Sequence, residues 1–355
     1  MNINELGQLF ITGISGLSLT EDEKQFLETN NIGGVILFQH NYDNPAQLAE
    51  LVNEIQTLRD EYPLFVSVDQ EGGRVKRFKK HFTQFPSMFE VAKYDSPKLT
   101  FEVHKILAEE LSACGVNVNY SPCCDIWSNP KNSVIGDRAF GTDKESVEKH
   151  VSAAIRGMHT GNVLACAKHF PGHGDTLKDS HFHLPFIKKS LVELEQEELL
   201  PFIRASKSRV EFMMMAHLVV DAIDKELPTS LSPKAYEYLR ESLKFKKIII
   251  TDDMEMKAIS DQFGHGEACV RALKAGADIV LYRSMAAAKE AFIAAKEAIK
   301  VQALKKDDLE EKIKRVFSCK KTHLAEYKPI YIPSLQKLIP ASKSKDMLDQ
   351  LGLEE

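Results

Sequence analysis

Short apolar runs alternate along the chain with longer amphipathic stretches, and the alternation repeats eight times. The runs cover residues 8–12, 34–38, 64–69, 116–120, 163–168, 212–217, 248–252 and 278–282. Each is rich in Val, Ile, Leu, Phe or Met with few internal charges, as expected of strands buried on both faces of a parallel sheet. Between them, residues 44–59, 99–114, 145–160, 190–206, 266–276 and 286–300 read as helices. In the first of these, Leu48, Leu51, Val52 and Ile55 fall on one helical face behind an Asn44-Pro45 start signal. Eight strand–helix pairs predict an α/β protein built as a single (β/α)8 barrel, because an open doubly wound sheet would carry a stronger glycine-rich loop than residues 12–16 offer. The barrel is expected to span residues 1–326. From Tyr327 the alternation breaks, and residues 327–355 are expected to form a C-terminal extension packed on the barrel or partly disordered.

Charge and composition narrow the possibilities. Against 46 Lys and Arg stand 51 Asp and Glu, a net charge of −5 that argues against nucleic acid as a partner. No run of eighteen apolar residues and no signal-peptide pattern occurs, so neither membrane association nor secretion is expected. The six cysteines show no paired spacing, which fits a reduced, cytoplasmic protein.

In such a barrel, polar residues at the C-terminal strand ends converge on one mouth. The third strand runs into Asp69-Gln70-Glu71-Gly72-Gly73-Arg74-Val75-Lys76-Arg77, the fifth into Lys168-His169, and the seventh into Asp252-Asp253. The segment KHFPGHGDTLKDSHFHLP packs four histidines, two aspartates and two glycines into eighteen residues, a composition suited to a chemically active flap. Within it one serine separates Asp179 from His181, so the carboxylate is placed to hold the imidazole in one tautomer for acid/base work. Asp252 follows a buried IIIT run and should emerge at the mouth, either as a nucleophile or as the N-cap of the next helix. His169, His173, His181 and His183 match no zinc-site spacing, and no metal is expected. Met213, Met214 and Met215 should be core. His217 should be a hydrogen-bonded strand-end residue, and Cys123 and Cys124 should be packed and inert.

GGVILF (33–38), VDQEGGRVKRF (68–78), SPCCDI (121–126), VIGDRAFG (134–141), KHFPGHGDT with DSH (168–181) and TDDMEM (251–256) occur in order. The chain thereby resembles the bacterial β-N-acetylhexosaminidases of glycoside hydrolase family 3, the peptidoglycan-recycling type, over about residues 6–320. The resemblance implies Asp252 as catalytic nucleophile and His181, supported by Asp179, as acid/base. It implies Asp69, Arg77, Arg138, Lys168 and His169 as substrate-binding residues. The activity implied is removal of non-reducing terminal β-linked GlcNAc with retention, from muropeptides, by a monomer without cofactor. A phosphorylase using phosphate in place of water, or a catalytically silent sugar-binding barrel, are the alternatives. Where the family usually has aliphatic residues, this chain has Cys123 and Cys124.

Overall fold

The computed structural model describes residues 3–59, 61–176, 184–324 and 327–353. The strands in chain order are β1 (Phe10–Gly13), β2 (Gly34–Leu37), β3 (Phe65–Val68), β4 (Val118–Asn119), β5 (Leu164–Phe170), β6 (Phe186–Ile187), β7 (Phe212–Met215), β8 (Val219–Val220), β9 (Ile248–Asp253) and β10 (Ile279–Tyr282). Eight of them, all but β6 and β8, close into a parallel barrel, with β1 paired to β10 on one side and to β2 on the other. These are the eight runs expected from the sequence. β6 and β8 form a separate two-stranded ladder.

Around the barrel lie α1 (Glu21–Thr29), α2 (Pro45–Thr57), α3 (Met88–Ala92), α4 (Pro97–Ala113), α5 (Lys144–Thr160), α6 (Leu191–Gln196), α7 (Leu200–Lys207), α8 (Pro233–Glu237), α9 (Lys257–Ala275), α10 (Met285–Lys300), α11 (Lys306–His323) and α12 (Ser344–Gln350). The α2 start follows its sequence signal, since the Asn44 side chain accepts a bond from the Gln47 amide and Pro45 sits where no donor is needed. The single helix expected over 190–206 is two helices. Pro201 has no amide proton to donate and its ring would collide with the preceding turn, so the chain breaks at Glu197 and restarts with proline in the first turn. The helix expected at 266–276 begins nine residues earlier and is kinked at Gly264, whose φ is 65°.

The barrel interior is apolar, with Phe65 and Phe212 meeting edge to face at 5.2 Å between ring centroids. Its N-terminal end is closed by the buried Lys320, which donates 2.8 Å bonds to Gln8 Oε1 and Gly33 O and lies 4.8 Å above the Phe65 ring. Met213, Met214 and Met215 are buried core residues, as expected. Residues beyond Tyr327 run along the barrel wall. Asn53 brackets Ile330 with bonds to both its amide and its carbonyl, and Glu110 of α4 accepts from the Ala341 amide, the Ser344 hydroxyl and Thr83. No helix among the described residues is long and apolar enough to cross a membrane.

Between α4 and α5 two buried histidines share one threonine. His150 Nδ1 lies 2.6 Å from the Thr100 hydroxyl and His104 Nδ1 lies 2.9 Å from the Thr100 carbonyl, while each Nε2 has no partner among the described residues. Burial lowers both to about 4, so each stays neutral in the folded protein where the unfolded chain would take up a proton. Stability contributed in this way is present above about pH 6.5 and is lost as pH falls toward 4. Urea unfolding should therefore show a lower midpoint at pH 5 than at pH 7. His104→Gln, which keeps a donor for the Thr100 carbonyl, should flatten that difference. An equal drop in both proteins would remove His104 as a cause.

Candidate active site

The C-terminal ends of the strands surround a cavity of about 360 Å3, at the small end of the range of about 300–1,000 Å3 usual for small-molecule sites. Asp69, Arg77, Arg138, Lys168, His169 and Asp252 all line it. Six of the eight expected site residues are thus brought together. The other two, Asp179 and His181, lie outside the described residues, as do residues 177–183 as a whole.

Asp69 directly follows β3, and the loop after it is folded back by Gln70. That side chain donates to Phe78 O at 3.0 Å and accepts from the Arg77 and Phe78 amides, which returns Arg77 to the side of Asp69. The reversal needs Gly73, since φ is 53° there and a Cβ would stand 2.8 Å from Ser87 Cα.

Lys168 and His169 are consecutive on β5, yet both face the cavity. Regular strand geometry sends neighbours to opposite faces. Here the peptide joining them is cis and the register against β7 shifts between Ala167 and Phe170, so the regular alternation is broken at this point. A matching shift between β9 and β10 accompanies the paired exposure of Asp252 and Asp253.

The cavity floor is an ion-pair lattice. Lys168 Nζ lies 2.8 Å from Asp69 Oδ1 and 2.5 Å from Glu71 Oε1, and Arg77 Nη2 lies 3.2 Å from Asp69 Oδ2. Arg138 binds Glu71 through two parallel bonds, Nε to Oε2 at 2.9 Å and Nη2 to Oε1 at 2.8 Å. Burial alone would raise both carboxyls. The facing cations outweigh it: Arg138 and Lys168 hold Glu71 far below the usual carboxylate range, and Lys168 and Arg77 hold Asp69 below it. Lys168 is in turn held protonated by Asp69 and Glu71.

His169 is oriented by Asp125, a wholly buried carboxylate. His169 Nδ1 lies 2.7 Å from Asp125 Oδ2, while the amides of His169 and His173 donate to the same carboxylate. On the other side of the ring Arg138 Nη2 is 3.3 Å from Nε2. The ring is thus held between a buried carboxylate at Nδ1 and the Arg138 guanidinium beside Nε2. Cys123 Sγ donates to Asp125 Oδ2 at 3.1 Å. Cys123, Asp125 and His169 are the one set among the described residues whose ligand atoms all lie within 4.8 Å of one another, and hydrogen bonds to Asp125 join them. Cys123 and Cys124 are buried free thiols, pushed well up by burial, which agrees with the packed, inert role expected.

Asp252 takes no helix-capping role. The following helix α9 begins at Lys257 with Met256 as its cap residue. Asp252 Oδ1 instead accepts the Asp253 amide at 2.8 Å, and although burial raises its carboxyl, His169, His217, that amide and Lys168 bring it below its ordinary value. Its neighbour is different: burial pushes Asp253 up to about 7, and its Oδ1 accepts from the Glu255 and Arg283 amides. His217 is hydrogen-bonded at the strand end as expected, with Nε2 2.9 Å from Asp253 O and Nδ1 2.7 Å from Ser230 Oγ.

Glu71 and Asp125 are absent from the expected site, although both stand inside motifs quoted above. The signal for Asp125 was its setting among apolar and cysteine neighbours, where a charge needs a partner. For Glu71 it was the glycine pair that follows, which marks a buried turn.

The glycosyl hydrolase family 3 N-terminal domain model matches residues 2–319. A β-hexosaminidase of Neisseria meningitidis serogroup C is 38% identical over 281 residues, 77% of each chain. The solved structure of a family 3 β-N-acetylglucosaminidase from Paenibacillus sp. str. FPU-7 superposes with a TM-score of 0.94 at 33% identity, covering 99% of this chain and 68% of that one. Native NagZ from Neisseria gonorrhoeae gives a TM-score of 0.82 at 31% identity over 98% of both chains. With a (β/α)8 barrel and a polar mouth of this composition, the chain belongs to glycosyl hydrolase family 3 and is a glycoside hydrolase of the β-hexosaminidase type.

Proposed function

We propose that the protein removes non-reducing terminal β-linked GlcNAc from peptidoglycan-derived muropeptides by a two-step retaining mechanism, acting in the cytoplasm as a monomer. The observation that carries this reading is the pairing of an ionised Asp252 with a dense lattice of donors and acceptors in one small cavity. Asp252 attacks the anomeric carbon and forms a glycosyl-enzyme while His181 protonates the leaving oxygen. His181, held by Asp179, then takes a proton from the water that releases the sugar. Asp69 accepts from sugar hydroxyls, and Lys168, Arg77 and Arg138 donate to hydroxyl and acyl oxygens. His169, held through Nδ1 by Asp125 and through Nε2 by Arg138, lines the cavity beside the sugar.

Because each carboxylate on the floor is already matched by a cation, the floor presents directed hydrogen bonds with little net charge, which suits a neutral sugar. The test is the kcat/KM of a 4-nitrophenyl β-GlcNAc glycoside beside its β-glucose counterpart, with EDTA present. A preference for GlcNAc of at least about a hundredfold is expected, since a site built for a polar substituent leaves its own groups unpaired when the substituent is missing. Equal rates would refute the specificity. GlcNAc-1-phosphate as the product in phosphate buffer would replace hydrolysis with phosphorolysis.

A further inference from the structure

The charged side chains at the cavity are used very unevenly. On the floor, Arg138, Lys168 and Arg77 are each matched by a carboxylate. At the rim, Arg74 is anchored to the facing loop: Nε pairs with Asp137 at 3.1 Å, and Nη2 donates to the carbonyls of Ser133, Val134 and Ile135.

Arg283 differs. It follows β10, lines the cavity beside Asp253, and its side chain is 50% exposed. Its Nε lies 3.5 Å from Asp253 Oδ2 and 3.9 Å from Glu255 Oε2, both longer than a good charged hydrogen bond. Nη2 makes one long bond, 3.3 Å, to Glu255 O, and Nη1 makes none among the described residues. Its two acidic neighbours are engaged more tightly elsewhere. Glu255 accepts from the Ser284 amide at 2.6 Å and the Ser284 hydroxyl at 2.8 Å, and Asp253 accepts from the Glu255 amide at 3.0 Å. The rim therefore carries a guanidinium with unspent donors, one strand over from Asp252.

We propose that Arg283 is a specificity-determining residue that selects glycosides whose aglycone carries a carboxylate. This rests on the hexosaminidase reading, in which the sugar fills the floor, its anomeric carbon meets Asp252, and only the aglycone reaches the rim. A carboxylate there accepts from Nη1 and Nη2, the planar fork for which arginine is suited and lysine is not. The contact touches the leaving group and not the reacting atoms, so it acts mainly through binding.

The experiment compares two aryl glycosides of GlcNAc, 4-nitrophenyl and 3-carboxy-4-nitrophenyl, with wild type and Arg283→Gln. The value read is the ratio of kcat/KM for the carboxylated over the neutral substrate, so each protein is its own reference. An exposed charge pair changes binding by about twofold to fivefold. The wild-type ratio should fall by about that factor in Arg283→Gln, through KM. It should also shrink in wild type as salt rises from 0.05 M to 0.5 M, roughly, where screening shortens the reach of charge below about 5 Å. An unchanged ratio in the variant, or a wild-type ratio insensitive to salt, overturns the proposal and leaves the hexosaminidase reading standing. Failure of wild type to cleave either glycoside overturns that reading and the proposal with it.

Discussion

Asp252→Gly is expected to lose at least about a thousandfold in kcat on an aryl β-GlcNAc glycoside, the scale seen when a covalent nucleophile is removed. The reason lies in what the other described carboxylates of the cavity cannot supply. Asp69 and Glu71 are ionised, but both are locked to Lys168 and to an arginine. Asp253 has its carboxyl raised to about 7 and its Oδ1 taken up by two amides. Only Asp252 combines a lowered carboxyl with a place on the cavity lining and no direct cation partner among the described residues. The glycine variant also opens a gap on the side of the sugar from which the carboxylate would have attacked. Azide added to that variant should enter the gap, restore turnover and give the α-glycosyl azide, because one displacement inverts a β-glycoside. Product NMR reads the configuration. A β-azide, or unimpaired hydrolysis by the variant, would remove Asp252 from the nucleophile's role.

Glu71→Ala should be the most damaging change to the floor. Its carboxylate, 3% exposed, is the one group that touches both Lys168, 2% exposed, and Arg138, 11% exposed. Removing it strands buried positive charge, which costs about 3–5 kcal/mol when a buried pair is broken from one side. A displaced lattice of this kind is also expected to cost about a hundredfold in kcat/KM, the penalty typical of misplacing a substrate by about 1 Å. Urea unfolding and steady-state kinetics on the same preparation check both numbers. Glu71→Gln, which keeps the shape and one acceptor, should fall between the two proteins. A loss of stability below about 1 kcal/mol for Glu71→Ala would mean that Asp69 alone balances the lattice.

The barrel was legible because buried parallel strands leave continuous apolar runs, and all eight runs are barrel strands. Asp252 was legible for the same reason, as the first charged side chain after Ile248, Ile249, Ile250 and Thr251. The partners of these residues were not. Glu71 meets Arg138 across 67 positions and Asp125 meets His169 across 44, and no local pattern encodes such distances. The two register shifts escaped as well. A period of two predicts that Lys168 and His169 diverge, and the local break in β5 that brings both to the cavity leaves no mark in that pattern. The broken helix at 197–200 was foreseeable, since Pro201 stood in the sequence; amphipathic spacing concealed the interruption.

Glu110 gathers Thr83, Ala341 and Ser344 at one buried carboxylate. Thr83 lies on the same chain segment that carries Asp69 and Arg77 away from β3 and on to α3. The last part of the polypeptide is thus a buttress for the arm that shapes the sugar pocket. Residues more than two hundred positions apart along the chain share one knot. Substitutions within residues 327–353 can therefore retune the pocket from behind, while every side chain that faces the sugar stays the same.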